Sequence, residues 1–269
     1  MRKYGYLVVE GPHDVEFAYR LLTPFGMKRI KNESELDTFF APLIPRQYPP
    51  KGDLQRRMPT PLFLQNETHT VAIHSAIGDS QLINVMVDNA GILNDLNAVI
   101  GIGILLDSDK EISAHQRYTD IKQTLATKSS QFKLHDEPGK IHSTNGMPNV
   151  GAFVLPDNTN DGTLEDLLID CAGLVYPQLL TVAKDYVNAA KNAGINANEL
   201  KEFNKPAGNN KAIIGAMANI FRPGKSVQVS IQDNSWLKGH ALELSRIKSV
   251  QEFLNALFEL KSLSKLYIL

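Results

Sequence analysis

Four carboxylates stand where the sequence changes from apolar runs to polar segments. Glu10 ends a short apolar run and Asp14 opens the segment after it, while Asp107 and Asp109 follow the apolar run 98–106. In an extended segment, residues two apart point to the same side, so Asp107 and Asp109 could face one cation. Mg²⁺ takes oxygen ligands, and clustered ionised carboxylates repel one another unless a cation neutralises them. The four acids therefore indicate a divalent-metal site.

Each of these acids also has an ordinary structural explanation. Asp14 could equally favour the positive end of the helix that follows it. Asp107 and Asp109 could be turn residues after a strand, where aspartate is common. The metal-site interpretation is favoured because strand ends of a parallel sheet meet at one edge, where ligands usually bind.

The hydrophobic pattern predicts the elements that would carry these acids. It indicates strands over 4–9, 71–77, 98–106 and 150–155, with helices over 14–22, 80–89 and 111–127. The run 98–106 is apolar on both alternating faces, so we expect it at the centre of a sheet covered by helices. This order predicts an α/β fold whose mostly parallel four-stranded sheet is flanked by helices.

Two further regions surround this predicted core. Segment 24–70 is crowded with prolines and is predicted to be an inserted loop or lid. Helices are expected over 163–171, 177–193, 211–221 and 250–261. We therefore predict an α/β domain over 1–175 and a helical annex over 176–269. A length of 269 residues fits either two domains or one elaborated domain on which the annex packs.

The composition limits the class of protein. The 28 basic and 29 acidic residues give no overall signature of nucleic-acid binding. A local basic cluster, Arg46, Lys51, Arg56 and Arg57, could be a contact for nucleic acid or simply a solvated loop. The longest apolar run, 98–106, is too short to span a bilayer, and the N-terminus does not read as a signal peptide. We expect a cytoplasmic protein with no membrane segment. Its lone Cys171 is expected to be a small buried apolar residue.

Two motifs resemble those of the Toprim family. Residues 8–15 read Val-Val-Glu-Gly-Pro-His-Asp-Val, which resembles the first Toprim motif, a glutamate at a strand end followed by glycine and a helix. Residues 105–109 read Leu-Leu-Asp-Ser-Asp, which resembles the second, an aspartate pair closing a later strand. The resemblance implies a Toprim-like α/β domain that acts on phosphodiesters with magnesium.

A third segment indicates which Toprim proteins the sequence resembles most. Residues 162–168 read Gly-Thr-Leu-Glu-Asp-Leu-Leu, which is similar to a motif of small uncharacterised stand-alone Toprim proteins and OLD-like nucleases. The resemblance implies that Glu165 joins the metal site and that Lys211 stabilises the charged transition state. OLD proteins carry an ATPase domain that this sequence lacks, so the resemblance also implies a separate ATPase partner, as in some phage-defence systems.

Together, these features lead us to expect a nuclease dependent on Mg²⁺ or Mn²⁺ that cleaves DNA or RNA in phage defence or nucleic-acid processing. Glu10 would be a ligand or the general base, with Lys211 as the second catalytic residue. The expected metal ligands are Glu10, Asp14, Asp107, Asp109 and Glu165. The near-neutral charge also keeps open a non-catalytic Toprim-fold module that binds nucleic acid, a nucleotide or a protein.

Overall fold

The computed structural model describes residues 2–47, 52, 54, 60–109 and 111–261. The chain folds into two compact units. The first comprises 1–106, 118–153 and 252–269, and the second comprises 107–117 and 154–251. These units begin and end at other residues than the division at 175 that the sequence suggested.

Within the described residues, the first unit is built on a mixed sheet of seven strands. They are β1 (Lys3–Val9), β2 (Lys28–Arg29), β3 (Leu62–Gln65), β4 (His69–Ser75), β5 (Val99–Asp107), β6 (Ile141–His142) and β7 (Asn149–Leu155). The strand order is β2-β3-β4-β1-β5-β7-β6. Strand β1 runs parallel to β4 and β5, whereas β3 is antiparallel to both β2 and β4, and β6 is antiparallel to β7.

The predicted α/β class is confirmed, but the sheet has seven strands and not four. The four predicted strands are β1, β4, β5 and β7, and β5 lies between β1 and β7 as its apolar character indicated. The three additional strands have only two to four residues each, too few for a period of two to be recognised. Strands β2 and β3 fall within the predicted lid 24–70, so part of that segment extends the sheet.

The described residues contain eight α-helices. They are α1 (Pro12–Leu22), α2 (Leu82–Ile92), α3 (Ala114–Lys128), α4 (Leu164–Val175), α5 (Pro177–Lys191), α6 (Gly208–Phe221), α7 (Val227–Gln232) and α8 (Ser245–Phe258). Every predicted helix is present with shifted ends, and α7 was not predicted. No helix in the described part of the chain is long and apolar enough to cross a membrane.

Alternating residues of β1 face helices on the two sides of the sheet. The buried Tyr6 hydroxyl accepts a hydrogen bond from Asn89 Nδ2 of α2 at 2.6 Å, and burial raises the pKa of Tyr6. The neighbouring Gly5 faces α8, where an added Cβ would lie 2.6 Å from the Phe258 ring. Because successive side chains of a strand point to opposite faces, α2 and the end of α8 cover opposite sides of the sheet.

Glycines allow the end of α8 to approach the sheet closely. A Cβ on Gly101 of β5 would lie 2.2 Å from the Leu257 carbonyl oxygen, and one on Gly103 would lie 2.4 Å from the Leu257 side chain. A Cβ on Gly151 of β7 would lie 2.9 Å from the Phe253 ring. The Gly-Ile-Gly sequence within β5 therefore serves helix packing, where the absence of a side chain is required.

The second unit consists mainly of α4 to α7 and the first part of α8. Helix α6 packs against α4 and α5. The fully buried Trp236 donates its indole N–H to Ser230 Oγ at 2.8 Å and meets the Phe221 ring edge-on at 5.3 Å. Cys171 of α4 is fully buried, as predicted, and burial raises its pKa to about 12.

Candidate functional site

Glu10 and Asp14 both lie at the junction of β1 and α1 in the first unit. Glu10 directly follows β1, and its carbonyl oxygen accepts hydrogen bonds from Gly78 N at 3.1 Å and Ser75 Oγ at 3.4 Å. These bonds tie the end of β1 to the turn after β4. Val9 of β1 lies opposite Leu105 of the parallel strand β5.

Asp14 is buried and acts at the start of α1. Its Oδ2 accepts a hydrogen bond from Gly11 N at 2.8 Å, and Pro12 occupies the first helical position, where a missing N–H costs nothing. This hydrogen bond to Gly11 N is the helix-start role suggested for Asp14. A role as metal ligand stays a prediction.

In the second unit, Asp107 connects the end of β5 to the start of α4. Its Oδ1 accepts a hydrogen bond from Leu164 N at 2.8 Å. Leu164 is the first residue of α4, whose N–H has no partner within the helix. The negative charge also lies at the positive end of the helix. Asp107 is thus fixed to the residue that directly precedes Glu165 in the chain.

Ser108 reinforces this connection. The residue is fully buried, and its Oγ accepts from Gly162 N at 2.7 Å while its N–H approaches the carbonyl oxygens of Leu155 and Gly162, both at 3.2 Å. The hydroxyl and the N–H of Ser108 are therefore both satisfied by residues 155–162. This serine was not singled out from the sequence, because a serine between two aspartates carries no distinctive signal.

Asp109 departs from the extended geometry expected for it. Its φ of 63° lies in the left-handed region, and it forms an isolated antiparallel bridge with Gly162. The rule that residues two apart share a side holds only for extended backbone, so it does not apply to Asp107 and Asp109. Asp109 is exposed.

Glu165 carries the most unusual carboxylate of the predicted set. It is the second residue of α4 and only 6% exposed, and its Oε2 has no hydrogen-bond partner among the described residues. A buried carboxylate oxygen without a partner is costly, because its hydration is lost and nothing replaces it. Such an atom is the kind that a bound cation would satisfy.

Asp109 and Lys211 line one cavity of about 600 Å³ within the second unit. We call it the Asp109–Lys211 cavity, and its lining also includes Glu111, Ile112, Phe203 and Lys205. Lys211 lies in the first turn of α6 and is exposed. The resemblance supplied Lys211, but Phe203 and Lys205 were missed because residues 194–207 show no periodic pattern.

The start of α6 is held against α4 by a side-chain hydrogen bond. Asn210 Nδ2 donates to Asp166 Oδ1 at 2.7 Å, and Asp166 Oδ2 accepts from Thr163 N at 2.9 Å. Asp166 thus caps one helix and anchors the next. This contact fixes the first turn of α6, and with it Lys211, relative to the helix that carries Glu165.

No group of three or more histidine, cysteine or acidic side chains within the described residues is arranged to hold a metal ion. Among the predicted ligands, Glu165 is the one with an orphaned buried oxygen. In the basic cluster, Arg46 is exposed and pairs with Glu33 at 2.6 Å. Lys51, Arg56 and Arg57 lie outside the described residues.

An ion-pair group in the second unit was also missed. Arg246 Nε donates to Asp157 Oδ2 at 2.9 Å, and Arg246 Nη1 donates to Asp170 Oδ2 at 3.0 Å. Partial burial raises the pKa of Asp157, but hydrogen bonds from Asn160 and Thr159 outweigh it and lower the pKa to about 2. These residues are far apart in sequence, so no local spacing indicated the group.

The fold and the carboxylates define a mixed α/β protein with acids at its strand ends and helix starts. The chain belongs to the family described as protein of unknown function (DUF3226), whose family model matches residues 4–259. No curated protein matches the chain. Among solved structures, the hypothetical protein PH0156 from Pyrococcus horikoshii OT3 is similar, at 15% identity over 96% of this chain and 95% of that one, with a TM-score of 0.49.

Proposed function

We propose that this protein is a phosphodiester hydrolase of the Toprim type that uses Mg²⁺ or Mn²⁺ and acts on nucleic acid. The single observation that supports it most is Glu165, a buried carboxylate whose Oε2 lacks a partner among the described residues. The Toprim-like sequence motifs assign this same glutamate to the metal site. The unpartnered oxygen in the structure and the assignment from the sequence therefore belong to the same residue.

Asp107 and Asp109 are the proposed partners of Glu165 in a metal site built from oxygen ligands, and a bound ion would have to draw the three together, because the described side chains do not already form such a group. Asp107 is bonded to Leu164 N, immediately before Glu165, and Asp109 follows Asp107 two residues later. Carboxylates and carbonyls are the ligands that Mg²⁺ and Mn²⁺ prefer, with waters completing the shell. We assign Asp107, Asp109 and Glu165 as ligands in the second unit.

The first sequence motif also assigns Glu10 and Asp14, which lie in the first unit, to metal binding. Glu10 would serve as ligand or general base, taking a proton from the attacking water. Asp14 would be a further ligand in addition to its bond with Gly11 N. When bound, divalent ions in such sites activate water and stabilise the leaving oxygen. Lys211 would offset negative charge on the phosphate, as cationic side chains do in other phosphoryl-transfer sites.

The proposal is tested by comparing Glu165→Gln with the wild type. Gln keeps the size of the side chain but removes the charge. We expect cleavage of plasmid, single-stranded DNA or transfer RNA in the presence of Mg²⁺ or Mn²⁺ to fall at least about 100-fold, as for loss of a major catalytic group. An Asp107→Ala/Asp109→Ala double variant should lose the activity as well.

Glu199→Gln is the matched control, because Glu199 is an exposed glutamate of the second unit that lines no part of the Asp109–Lys211 cavity. It should cleave like the wild type. Cleavage that persists in the double variant would overturn the site assignment. A stimulating ATPase, as the OLD-like resemblance implies, should be sought by repeating the assay with ATPases encoded beside the gene.

A non-catalytic binding module is the second candidate. It is favoured by the fact that two of the acids already have structural roles at helix starts, Asp14 with Gly11 N and Asp107 with Leu164 N. These two carboxylates are thus accounted for without a metal. Binding of nucleic acid without cleavage of any substrate, with either metal, would favour this candidate over the hydrolase.

A further inference from the structure

We infer that the Asp109–Lys211 cavity is a subsite for one nucleotide of a single-stranded nucleic acid. Its base would stack on Phe203 and its phosphate would be bound by Lys205 and Lys211. The inference deepens the proposed function by naming the form of the substrate, and it rests on that function only for the role of Asp109. The binding of the nucleotide itself depends on Phe203, Lys205 and Lys211.

The charged groups of the cavity carry the first part of the inference. Asp109, Glu111 and Glu202 supply three acids, and Lys205 and Lys211 supply two cations, so the lining offers carboxylates to a metal and lysines to a phosphate. Lys205 is paired with Glu202 at 2.5 Å in an exposed ion pair. Exposed pairs of this kind are weak, so an incoming phosphate can take the place of the carboxylate.

The lysines lie close enough together to act on one anion. The pKa of Glu202 is lowered by a hydrogen bond from Lys205 and by the charges of Lys205, Lys201 and Lys211. A single carboxylate therefore experiences three lysine charges, two of which line the cavity. A phosphodiester bound there would carry one negative charge, as Glu202 does, and would experience the same cations.

An apolar surface beside the cations distinguishes a nucleotide from a bare phosphate. Phe203 is partly buried, and Ile112, 38% exposed, is another apolar residue of the lining. Aromatic rings placed beside cationic side chains bind single-stranded nucleic acids, because every base has a flat face that can stack. Inorganic phosphate alone would gain nothing from Phe203.

The geometry of the segment 203–208 is fixed. A Cβ on Gly208 would lie 2.2 Å from the Phe203 carbonyl oxygen, and Gly208 N donates to Lys205 O at 2.8 Å. This tight approach joins Phe203 and Lys205 to the first turn of α6, which carries Lys211 and is itself anchored by the Asn210–Asp166 hydrogen bond. The positive end of a helix adds to the attraction for phosphate.

The size of the cavity favours a single strand over a duplex. A volume of about 600 Å³ is in the range of small-molecule sites and admits about one nucleotide. In a duplex the bases are already stacked and paired, so none can lie on Phe203 unless it is first extruded. A single strand offers its bases directly.

The test measures binding without cleavage. A fluorescein-labelled oligothymidylate and a duplex of the same length are titrated with the full-length protein in EDTA, and fluorescence anisotropy gives the Kd. We expect the single strand to bind at least about 10-fold more tightly than the duplex. Phe203→Ala should weaken single-strand binding about 10-fold, as expected for loss of one stacked base. Phe203→Tyr should bind like the wild type.

Two further comparisons show whether binding depends on the cavity or on other parts of the surface. Lys211→Gln should weaken binding and reduce its dependence on salt, because one phosphate contact is lost. Tyr186→Ala and Lys191→Gln are matched controls, since both residues are exposed on α5, Tyr186 by 64%, and neither lines the cavity. Circular dichroism confirms that each variant is folded.

The outcomes distinguish this inference from the proposed hydrolase. If Phe203→Ala binds like the wild type, or if Tyr186→Ala loses as much affinity, the subsite is wrong even where the protein cleaves nucleic acid. Equal affinity for both forms, or no binding of either, also overturns it. Conversely, if binding depends on Phe203 but no substrate is cleaved, the subsite stands and the hydrolase does not.

Discussion

The Asp107 carboxylate accepts a hydrogen bond from the backbone N–H of Leu164 at 2.8 Å. The last residue of a buried strand therefore holds the first residue of α4. The same helix carries Glu165, whose buried carboxylate has one unpartnered oxygen among the described residues. Leu164 links the two acids. Asp107 accepts a hydrogen bond from the Leu164 N–H, whereas Glu165 Oε2 has no hydrogen-bond partner among the described residues.

Substitutions of Asp107 should separate its structural role from its proposed metal role. Asp107→Asn retains an acceptor for Leu164 N, so we expect little change in the free energy of unfolding. Asp107→Ala removes the acceptor and should cost about 1 kcal/mol, as for other helix-start groups. Urea denaturation in EDTA measures both values. If Asp107 is a ligand, the Asn variant should nevertheless lose affinity for Mn²⁺ in calorimetry, whereas unchanged affinity would leave it a helix cap alone.

Glu165→Gln should change the response of the protein to metal. In EDTA the variant should be at least as stable as the wild type, because the cost of burying a carboxylate with one unpartnered oxygen is removed. Added Mn²⁺ should then stabilise the wild type by about 2.7 kcal/mol at a concentration near 100 times the Kd, and the variant by much less. Thermal denaturation with and without Mn²⁺ measures the difference. Equal stabilisation of the two proteins would remove Glu165 from the proposed site.

Gly101→Ala should be strongly destabilising because its new methyl group would meet the Leu257 carbonyl oxygen at 2.2 Å. Overpacking of this kind typically costs about 1–3 kcal/mol, and a backbone atom cannot move aside as a flexible side chain can. Gly91→Ala in α2 is the control, since nothing lies within 4 Å of its added Cβ. The control should be neutral or stabilising in urea denaturation. A similar loss of stability in both variants would show that the contact with Leu257 is not what destabilises Gly101→Ala.

Asp157 should make the free energy of unfolding depend on pH in the acid range. Its pKa is lowered from 3.8 to about 2 in the folded protein, so its contribution is fully present above the unfolded value and is lost as the pH falls from 3.8 towards 2. Asp157→Ala should therefore be less stable than the wild type at neutral pH, with a difference that shrinks across this window. The free energy of unfolding measured at several pH values tests this. A difference that stays constant with pH would mean that the ionised form of Asp157 is not preferentially stabilised.

The sequence predicted the buried parallel core well because long apolar runs carry a strong signal. Strand β5 was placed correctly, in the interior of the sheet, from its apolar character on both faces. Strands β2, β3 and β6 were missed because they are short strands whose pairing partners, and not their own periodicity, define them.

The candidate site was predictable to a lesser degree. The positions of the acids along the strands and helices could be derived, but the left-handed backbone of Asp109 could not. Spacing arguments assume regular geometry, and they fail where one residue turns the chain. Phe203 and Lys205 were also out of reach, because the cavity that they line is formed by folding and leaves no periodic pattern in the sequence.

The contact of Gly5 with Phe258 has a consequence for the synthesis of this protein. The ribosome produces β1 first, but the helix end that covers this strand is made some 250 residues later. One face of the central sheet must therefore remain uncovered through almost the whole of translation. Exposed apolar sheet surface in a nascent chain is prone to aggregation and is a typical target of chaperones. A messenger RNA that ends before the codons of α8 would yield a chain with every central strand but without the helix that packs on them. We expect the cell's proteases to degrade such a chain.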